Sequence, residues 1–163
     1  MTHIDNLAAL FNSGTVIAVP AGTKFSRGCW LQLRAFPNGS WFSPDTDGAA
    51  QYIAMGAECG RKLSYEPVIS QCVTTKELRL IEFHGNHISA FASAYGRNWS
   101  HDELPQDIAN ALALNAQTDL DGFLRPSTAE YFICSPADVL VEVSCLSGQA
   151  ALEEASKVKG YEV

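Results

Sequence analysis

The spacing of apolar residues along the chain alternates between the helical and the strand-like period. Residues 3–12 repeat apolar side chains at intervals of three and four, which predicts a first helix. Residues 16–19 form a short apolar run, and the pattern over residues 23–27 predicts a strand after a Pro-Ala-Gly turn. A four-residue strand is predicted at 40–43, directly after a Pro-Asn-Gly turn.

The helical period returns after Pro44, and the later segments again mix strands with helices. Pro44 suits the first turn of a helix, which Ser43, Asp45 or Asp47 would cap. This helix is expected to end at one of the glycines at positions 56 and 60. The other predicted elements are strands at residues 65–75, 78–83, 121–124, 130–134 and 139–145, and helices at 86–97, 102–116 and 149–158.

This order of elements predicts an α+β fold, since early helices and a late β-rich block do not form a regular βαβ series. The chain has 163 residues, of which 47% are hydrophobic and 18% charged, and this favours one globular domain spanning 1–163. Neither a G-x-G-x-x-G nor a G-x-x-x-x-G-K motif occurs. A Rossmann or P-loop nucleotide site is therefore not expected.

Charge and cysteine content narrow the expected partners and the compartment. The net charge of −7 argues against a nucleic-acid interface, but leaves open a nucleic-acid substrate held by one or two arginines. Five cysteines, an odd number without a C-x-x-C pair, predict buried reduced thiols and a reducing, cytoplasmic site of action. No apolar run approaches the roughly 20 residues of a membrane span, and no cleavable signal is visible.

Three positions stand out because charge or flexibility interrupts an apolar pattern. Arg27 lies within a predicted strand and is either a surface residue or a phosphate ligand, since its fork suits phosphate oxygens. Gly28 beside it would let a ligand approach the backbone closely. Glu130 opens an apolar strand, and its carboxylate lies either at an exposed edge or in a cleft.

Aromatic residues and Ser43 allow both a structural and a functional interpretation. Trp41, Phe42 and Tyr52 form either an aromatic wall for a ligand or part of the core. Ser43 precedes a proline and is either a helix cap or a site residue.

Two further kinds of site receive little support from the sequence. Cys72 with the histidines at 84, 87 and 101 has loose spacing for zinc, so no metal is predicted. Cys134 near Glu130 could pair with a histidine as a nucleophile, but no local signature favours this.

Three segments taken together resemble the toxin and effector branch of the ADP-ribosyltransferase family. They read A-G-T-K-F-S-R-G, W-F-S-P-D-T-D-G-A-A-Q-Y-I-A and D-G-F-L-R-P-S-T-A-E-Y-F-I-C-S-P, and the likeness covers residues 20–145. The resemblance implies an ADP-ribosyltransferase-like split antiparallel β-sheet core flanked by helices. It also implies NAD+ as the substrate.

The resemblance implies how the first two segments would bind NAD+. Arg27 would hold a phosphate, and the backbone of Gly28 would meet the nicotinamide amide. Tyr52 would stack on the nicotinamide ring. Phe42 and Ser43 belong to the same NAD+-binding segment.

The resemblance also implies how the bond between nicotinamide and ribose would break. Glu130 would bond a ribose hydroxyl and stabilise the oxocarbenium-like charge, while Ser43 would brace the glutamate. Arginine-modifying members carry Glu or Gln two residues before the catalytic Glu, where this chain has Thr128. The implied acceptor is therefore another side chain, a nucleotide or water.

The sequence thus predicts an NAD+-dependent ADP-ribosyltransferase, a bacterial toxin or effector that modifies a macromolecular acceptor. Two alternatives stay open. One is an NAD+ glycohydrolase or phosphorylase of the same fold; the other is a non-catalytic binding or immunity-type partner domain, which the acidic charge favours. A toxin would act in the cytoplasm, could be delivered without a cleavable signal, and could have an immunity or inhibitor protein as partner.

Overall fold

Two β-sheets form the centre of the structure, a computed structural model that describes residues 9, 12–30, 39–82 and 116–163. The mixed α+β class predicted from the sequence is confirmed. The strands are β1 (Thr15–Val19), β2 (Lys24–Cys29), β3 (Ser40–Phe42), β4 (Val68–Thr74), β5 (Leu78–Glu82), β6 (Gly122–Arg125), β7 (Glu130–Ile133) and β8 (Leu140–Ser147). The helices are α1 (Thr46–Glu58), α2 (Pro136–Val139) and α3 (Gln149–Ser156), with a 3-10 turn at Arg61–Leu63.

The larger sheet has five strands in the order β1-β5-β6-β7-β3. Its pairs are antiparallel except for β5 and β6, which run parallel with Leu80 opposite Gly122. The expectation of a wholly antiparallel core is thus corrected to a mixed sheet. A parallel pair requires a crossover of a dozen or more residues, and the chain between Glu82 and Gly122 is long enough to provide one.

The smaller sheet has three antiparallel strands in the order β2-β4-β8. Arg27 on β2 lies opposite Ser70 on β4, and the pairing of β4 with β8 shifts register between Gln71 and Cys72. Such a bulge bends a strand and increases its twist. The sheet can therefore curve over the elements packed beneath it.

The helix α1 begins at Thr46, which identifies its N-cap among the three candidates Ser43, Asp45 and Asp47. The Asp45 carboxylate accepts a hydrogen bond from the Gly48 amide at 3.1 Å, so Asp45 is the N-cap. Pro44 precedes this cap, so the predicted place of Pro44 in the first helical turn is wrong by two positions. None of the helices in the described ranges is long and apolar enough to span a membrane.

Within the described residues, one cluster of buried side chains lies between the smaller sheet and the helices, and another lies between the two sheets. Helices α1 and α3 pack on the smaller sheet through small residues that allow close approach, together with Trp30, Ile53 and Ile69. The second cluster joins the two sheets to each other. Its members are Val19, Phe25, Phe42, Cys72, Leu78, Leu80, Ile133, Val139 and Leu140.

Most described elements match the predicted ones, with differences at their ends. The predicted strand 139–145 is confirmed as β8 (Leu140–Ser147), except that Val139 ends the short helix that Pro136 starts after Ser135. The predicted strand 65–75 is shorter and spans Val68–Thr74. The predicted helix at 86–97, residues 102–115 of the next one and most of 3–12 lie outside the described residues.

Candidate functional site

The two sheets are joined edge to edge by one pair of serines. The Ser26 amide donates to the Ser43 carbonyl at 2.8 Å, and the Ser43 amide donates back to the Ser26 carbonyl at 2.7 Å. Ser26 belongs to β2, and Ser43 directly follows β3. This bridge includes Ser43 and lies directly beside Arg27, two of the predicted site residues.

Arg27 follows Ser26 on β2 and reaches across the junction to the neighbouring sheet. Its guanidinium Nη1 donates to the carbonyl oxygen of Trp41 at 3.1 Å, and the side chain is half-buried. None of the acidic side chains in the described ranges forms an ion pair with it. A guanidinium has five N–H donors, so a single carbonyl leaves most of them available for an anion.

Gly28 is the position at which α1 rests on β2. A Cβ at this position would collide with the carbonyl oxygen of Ala49 and would lie 3.3 Å from the Cβ of Tyr52. A glycine is therefore needed for this close approach of helix and strand. The contact brings Tyr52, which is half-buried, beside the strand that carries Arg27.

Ser43 lies against the first turn of α1. A Cβ added to Gly48 would collide with the Ser43 hydroxyl, so this hydroxyl is directed at the helix. In the described part of the chain no hydrogen bond joins it to Glu130. The bracing contact that the resemblance implied is thus not formed here, and Ser43 is placed by its backbone pairing with Ser26.

Glu130 begins β7, the neighbour of β3, and the register of these strands brings it to the same end as Ser43. Trp41 pairs with Phe132 and Phe42 with Tyr131. Continuing this antiparallel register by one residue places Glu130 opposite Ser43. Since Ser43 is bridged to Ser26, Arg27 and Glu130 lie on strands that flank the same β3 terminus.

The Glu130 carboxylate is held by side chains of its own hairpin. The Arg125 Nη1 lies 3.1 Å from Oε2, and the Thr128 hydroxyl donates to the same oxygen at 2.8 Å. The Arg125 and Glu130 side chains are 22% and 31% exposed, so the pair is only partly screened by solvent. No residue among those described donates to Oε1.

The predicted aromatic wall divides into core residues and one residue at the site. Phe42 is 2% exposed, Trp41 is 9% exposed, and their rings pack against Phe25, Phe123 and Phe132. These two side chains serve the core, so the predicted contact of the Phe42 ring with NAD+ has no exposed ring surface to support it. Tyr52, on α1, is half-buried, its Cβ lies near Gly28, and its side chain packs against the cluster beneath the smaller sheet.

All five cysteines are free thiols, but they differ in exposure. Cys72 and Cys134 are fully buried, whereas Cys59 is exposed and so departs from the expected burial. Burial, with the nearby Asp121 carboxylate, raises the pKa of Cys134 to about 12. The thiol is thus protonated at neutral pH, which disfavours a nucleophilic role beside Glu130.

The zinc alternative lies largely beyond what the structure describes. The described residues contain no cluster of three potential metal ligands, and the histidines at 84, 87 and 101 fall outside the described ranges.

Arg125 and Thr128 are contacts of the candidate site that were not predicted as site residues. A usable signal exists, since F-L-R-P-S-T-A-E-Y-F places two strand-like pairs around a Pro-Ser turn. A tight hairpin there pairs Arg125 with Glu130, as the structure has it. The sequence predicts two strands separated by a turn but not their register, so the contact between Arg125 and Glu130 is not predicted.

The fold is similar to that of one chain in a solved toxin–antitoxin complex. One chain of the crystal structure of the M. tuberculosis MbcT–MbcA toxin–antitoxin complex superposes with a TM-score of 0.52 and 10% sequence identity. The likeness covers 96% of this chain and 97% of that chain. No family model and no curated protein matches the sequence. At this identity the likeness concerns the fold, and the ADP-ribosyltransferase assignment stays a prediction.

Proposed function

We propose that this chain is an NAD+-consuming toxin or effector enzyme of the ADP-ribosyltransferase type, with Glu130 as its catalytic carboxylate. The observation that carries the proposal is the order of charges across the sheet junction. Arg27 lies beside the serine bridge on one side of the β3 terminus, and Glu130 lies on the strand at its other side. The proposed reaction needs both groups: a cation to bind a phosphate of NAD+, and an anion to stabilise the positive charge that develops on the ribose.

In the proposed reaction the glycosidic bond between the nicotinamide nitrogen and the ribose carbon breaks. Nicotinamide leaves with the electron pair and becomes neutral, while positive charge develops on the ribose. The Glu130 carboxylate stabilises this charge through Oε1, which has no other donor among the described residues. The acceptor then forms a bond to the ribose carbon and loses a proton.

The binding roles follow from what surrounds Arg27. The guanidinium would hold a phosphate of NAD+, since no described carboxylate neutralises it. Close packing of α1 on Gly28 covers this face of the Gly28 backbone with the Ala49 carbonyl and brings Tyr52 beside β2. The Tyr52 ring would stack on the nicotinamide. Ser43 would contribute through its position at the junction, and bracing of Glu130 by its hydroxyl would require a rotation away from α1.

The role as a toxin and the expected partner rest on the fold. The likeness to a chain of a toxin–antitoxin complex supports a toxin-like fold. It also supports an inhibitory protein as a partner of this chain. A cytoplasmic site of action and delivery without a cleavable signal belong to the same proposal.

Transfer to a macromolecule and hydrolysis are both compatible with this site, and Thr128 bears on the choice. Its hydroxyl is directed at Glu130 and brings no second negative charge to the site. If the acceptor were an arginine side chain, no carboxylate at position 128 would be present to pair with its positive charge. A neutral acceptor, including water, therefore fits the site better, and the glycohydrolase reaction is the second candidate function.

Incubation of the chain with NAD+ tests the proposal and separates the two reactions. We expect nicotinamide release by the wild type and its loss in Glu130→Gln, while Glu77→Gln, which alters an exposed carboxylate in the β4–β5 turn, keeps full activity. Free ADP-ribose without a labelled macromolecule indicates hydrolysis, and a labelled protein or nucleic acid indicates transfer. Equal behaviour of wild type and Glu130→Ala in every assay would favour the non-catalytic partner class.

A further inference from the structure

The Glu130 carboxylate receives both of its described hydrogen bonds on a single oxygen. The Arg125 guanidinium and the Thr128 hydroxyl meet Oε2 at 3.1 and 2.8 Å, and no described residue donates to Oε1. We infer that Arg125 and Thr128 are positioning residues that hold Oε2, so that Oε1 alone faces the substrate. This inference rests on the proposed cleavage of NAD+.

The β6–β7 hairpin builds both donors into the local fold. Arg125 is the last residue of β6 and pairs across the ladder with Glu130, the first residue of β7. The Thr128 amide donates to the Arg125 carbonyl at 3.3 Å and closes the turn. Ala129 then adopts a left-handed conformation, with φ of 51°, which leads the chain directly into β7. The backbone of the hairpin therefore places both residues next to Glu130.

Two donors on one oxygen restrict the carboxylate, because rotation about the last side-chain bond of a glutamate otherwise costs little energy. Rotation about the bond that carries the carboxylate has broad, roughly two-fold minima, so the two oxygens of an unrestrained glutamate readily exchange. Donors that meet only Oε2 remove this freedom. The other oxygen then keeps one direction, and a carboxylate held in place before the reaction stabilises developing charge without reorganising.

Paired substitutions at the two donors test the inference by separating turnover from binding. Thr128→Val keeps the shape of the side chain and removes the hydroxyl, and we expect kcat to fall about 10-fold. Arg125→Met removes the charged donor, and we expect about a 100-fold loss of kcat, as for other small displacements of a reacting group. KM for NAD+ should change less than about 3-fold in both variants, since neither donor touches the substrate.

Conservative and remote variants provide the controls. Thr128→Ser keeps the hydroxyl and should restore most of kcat, and Arg125→Lys should restore part of it. Arg79→Met breaks another Arg–carboxylate pair of the same sheet, with Asp119, and Thr75→Val alters an exposed threonine. Both should leave kcat unchanged. Thermal unfolding of each variant shows whether the fold is retained.

The outcomes distinguish this inference from the proposed function. A wild type that cleaves NAD+ and an inactive Glu130→Gln, together with full kcat in folded Arg125→Met and Thr128→Val, would overturn the positioning role and leave the enzyme proposal intact. A rise in KM without loss of kcat would overturn it as well, since the residues would then bind substrate. A wild type that releases no nicotinamide would overturn both proposals.

Discussion

Arg27 and Glu130, the two charged groups of the candidate site, are held in different ways. Arg27 is anchored by a backbone carbonyl of the neighbouring sheet, that of Trp41, and no described carboxylate neutralises it. Glu130 is anchored by two side chains of its own hairpin, one of them the oppositely charged Arg125. The cation therefore depends on the junction between the sheets, whereas the anion depends on a local turn.

This difference indicates what each half of the site contributes. A guanidinium that bonds only a neutral carbonyl keeps its charge available, which suits the binding of a phosphate. A carboxylate whose charge is already paired attracts substrate less, but it is held in one orientation, which suits stabilisation of a transition state. We expect substitutions at Arg27 to affect binding and substitutions at Glu130 to affect turnover.

The largest expected effect is at Glu130. Glu130→Gln keeps the size of the side chain and removes the charge that stabilises the oxocarbenium-like state, so kcat should fall about 10³-fold, or roughly 4 kcal/mol. NAD+ affinity measured by calorimetry should change little. Glu130→Asp, which keeps the charge, should retain more activity than Glu130→Gln. An equal loss of affinity and turnover would contradict the division between the two halves.

Arg27 should show the opposite behaviour. Arg27→Met removes the donors offered to a phosphate, and charge-assisted hydrogen bonds contribute about 1.5–3 kcal/mol, so NAD+ binding should weaken about 10- to 100-fold. The matched control is Arg79→Met, an arginine already paired with Asp119. Titration calorimetry measures both variants. Normal NAD+ binding by Arg27→Met would show that the phosphate lies elsewhere.

Gly28 and Gly48 test how α1 is attached to the two sides of the junction. In Gly28→Ala the new methyl group meets the Ala49 carbonyl, part of a rigid helix, so unfolding should become easier by about 1–3 kcal/mol. In Gly48→Ala the methyl group meets the Ser43 hydroxyl, which can rotate, and the Ser43 Cβ, which must shift, but alanine gains up to about 1 kcal/mol in a helix and offsets part of this cost. Urea unfolding of the two variants should therefore rank Gly28→Ala as the less stable. The reverse order would mean that α1 is not seated on β2 as described.

The smallest expected effect is a change of stability with pH that comes from two buried thiols, Cys72 and Cys134. Burial raises the pKa of Cys134 to about 12, with a contribution from Asp121, and burial raises the pKa of Cys72 to about 12, with Glu142 adding to it. The unfolded chain thus loses these protons first as pH rises. Between about pH 9 and 12 stability should fall by roughly 1 kcal/mol per pH unit for each thiol.

Urea unfolding under reducing conditions from pH 8 to 11 measures this slope. Cys72→Ala and Cys134→Ala should each make it less steep, and Cys59→Ala, which removes an exposed thiol, is the matched control. If only one of the two buried positions affects the slope, the halves differ in how well they exclude water.

Local patterns in the sequence were sufficient for much of the fold. The strands around residues 24–29 and 68–74 and the helix after Pro44 follow from spacing and from turn residues, since these depend on neighbours in the chain. The N-cap of α1 could be narrowed only to Ser43, Asp45 or Asp47, because each of these side chains can accept a hydrogen bond from a backbone amide. The parallel pairing of β5 with β6 left no local signal.

In the candidate site, too, local patterns predict individual residues but not the contacts between distant strands. The residue pattern alone indicates that Arg27 and Glu130 interrupt apolar strands, and that a turn of Pro126 and Ser127 precedes the glutamate. The pattern does not contain the long-range contacts that bury Phe42 in the core, join Ser26 to Ser43, and bring Arg125 and Thr128 to one oxygen of Glu130. The physical reason is that periodicity reports which face of an element is apolar, whereas side-chain contacts depend on register and on close approach between distant strands.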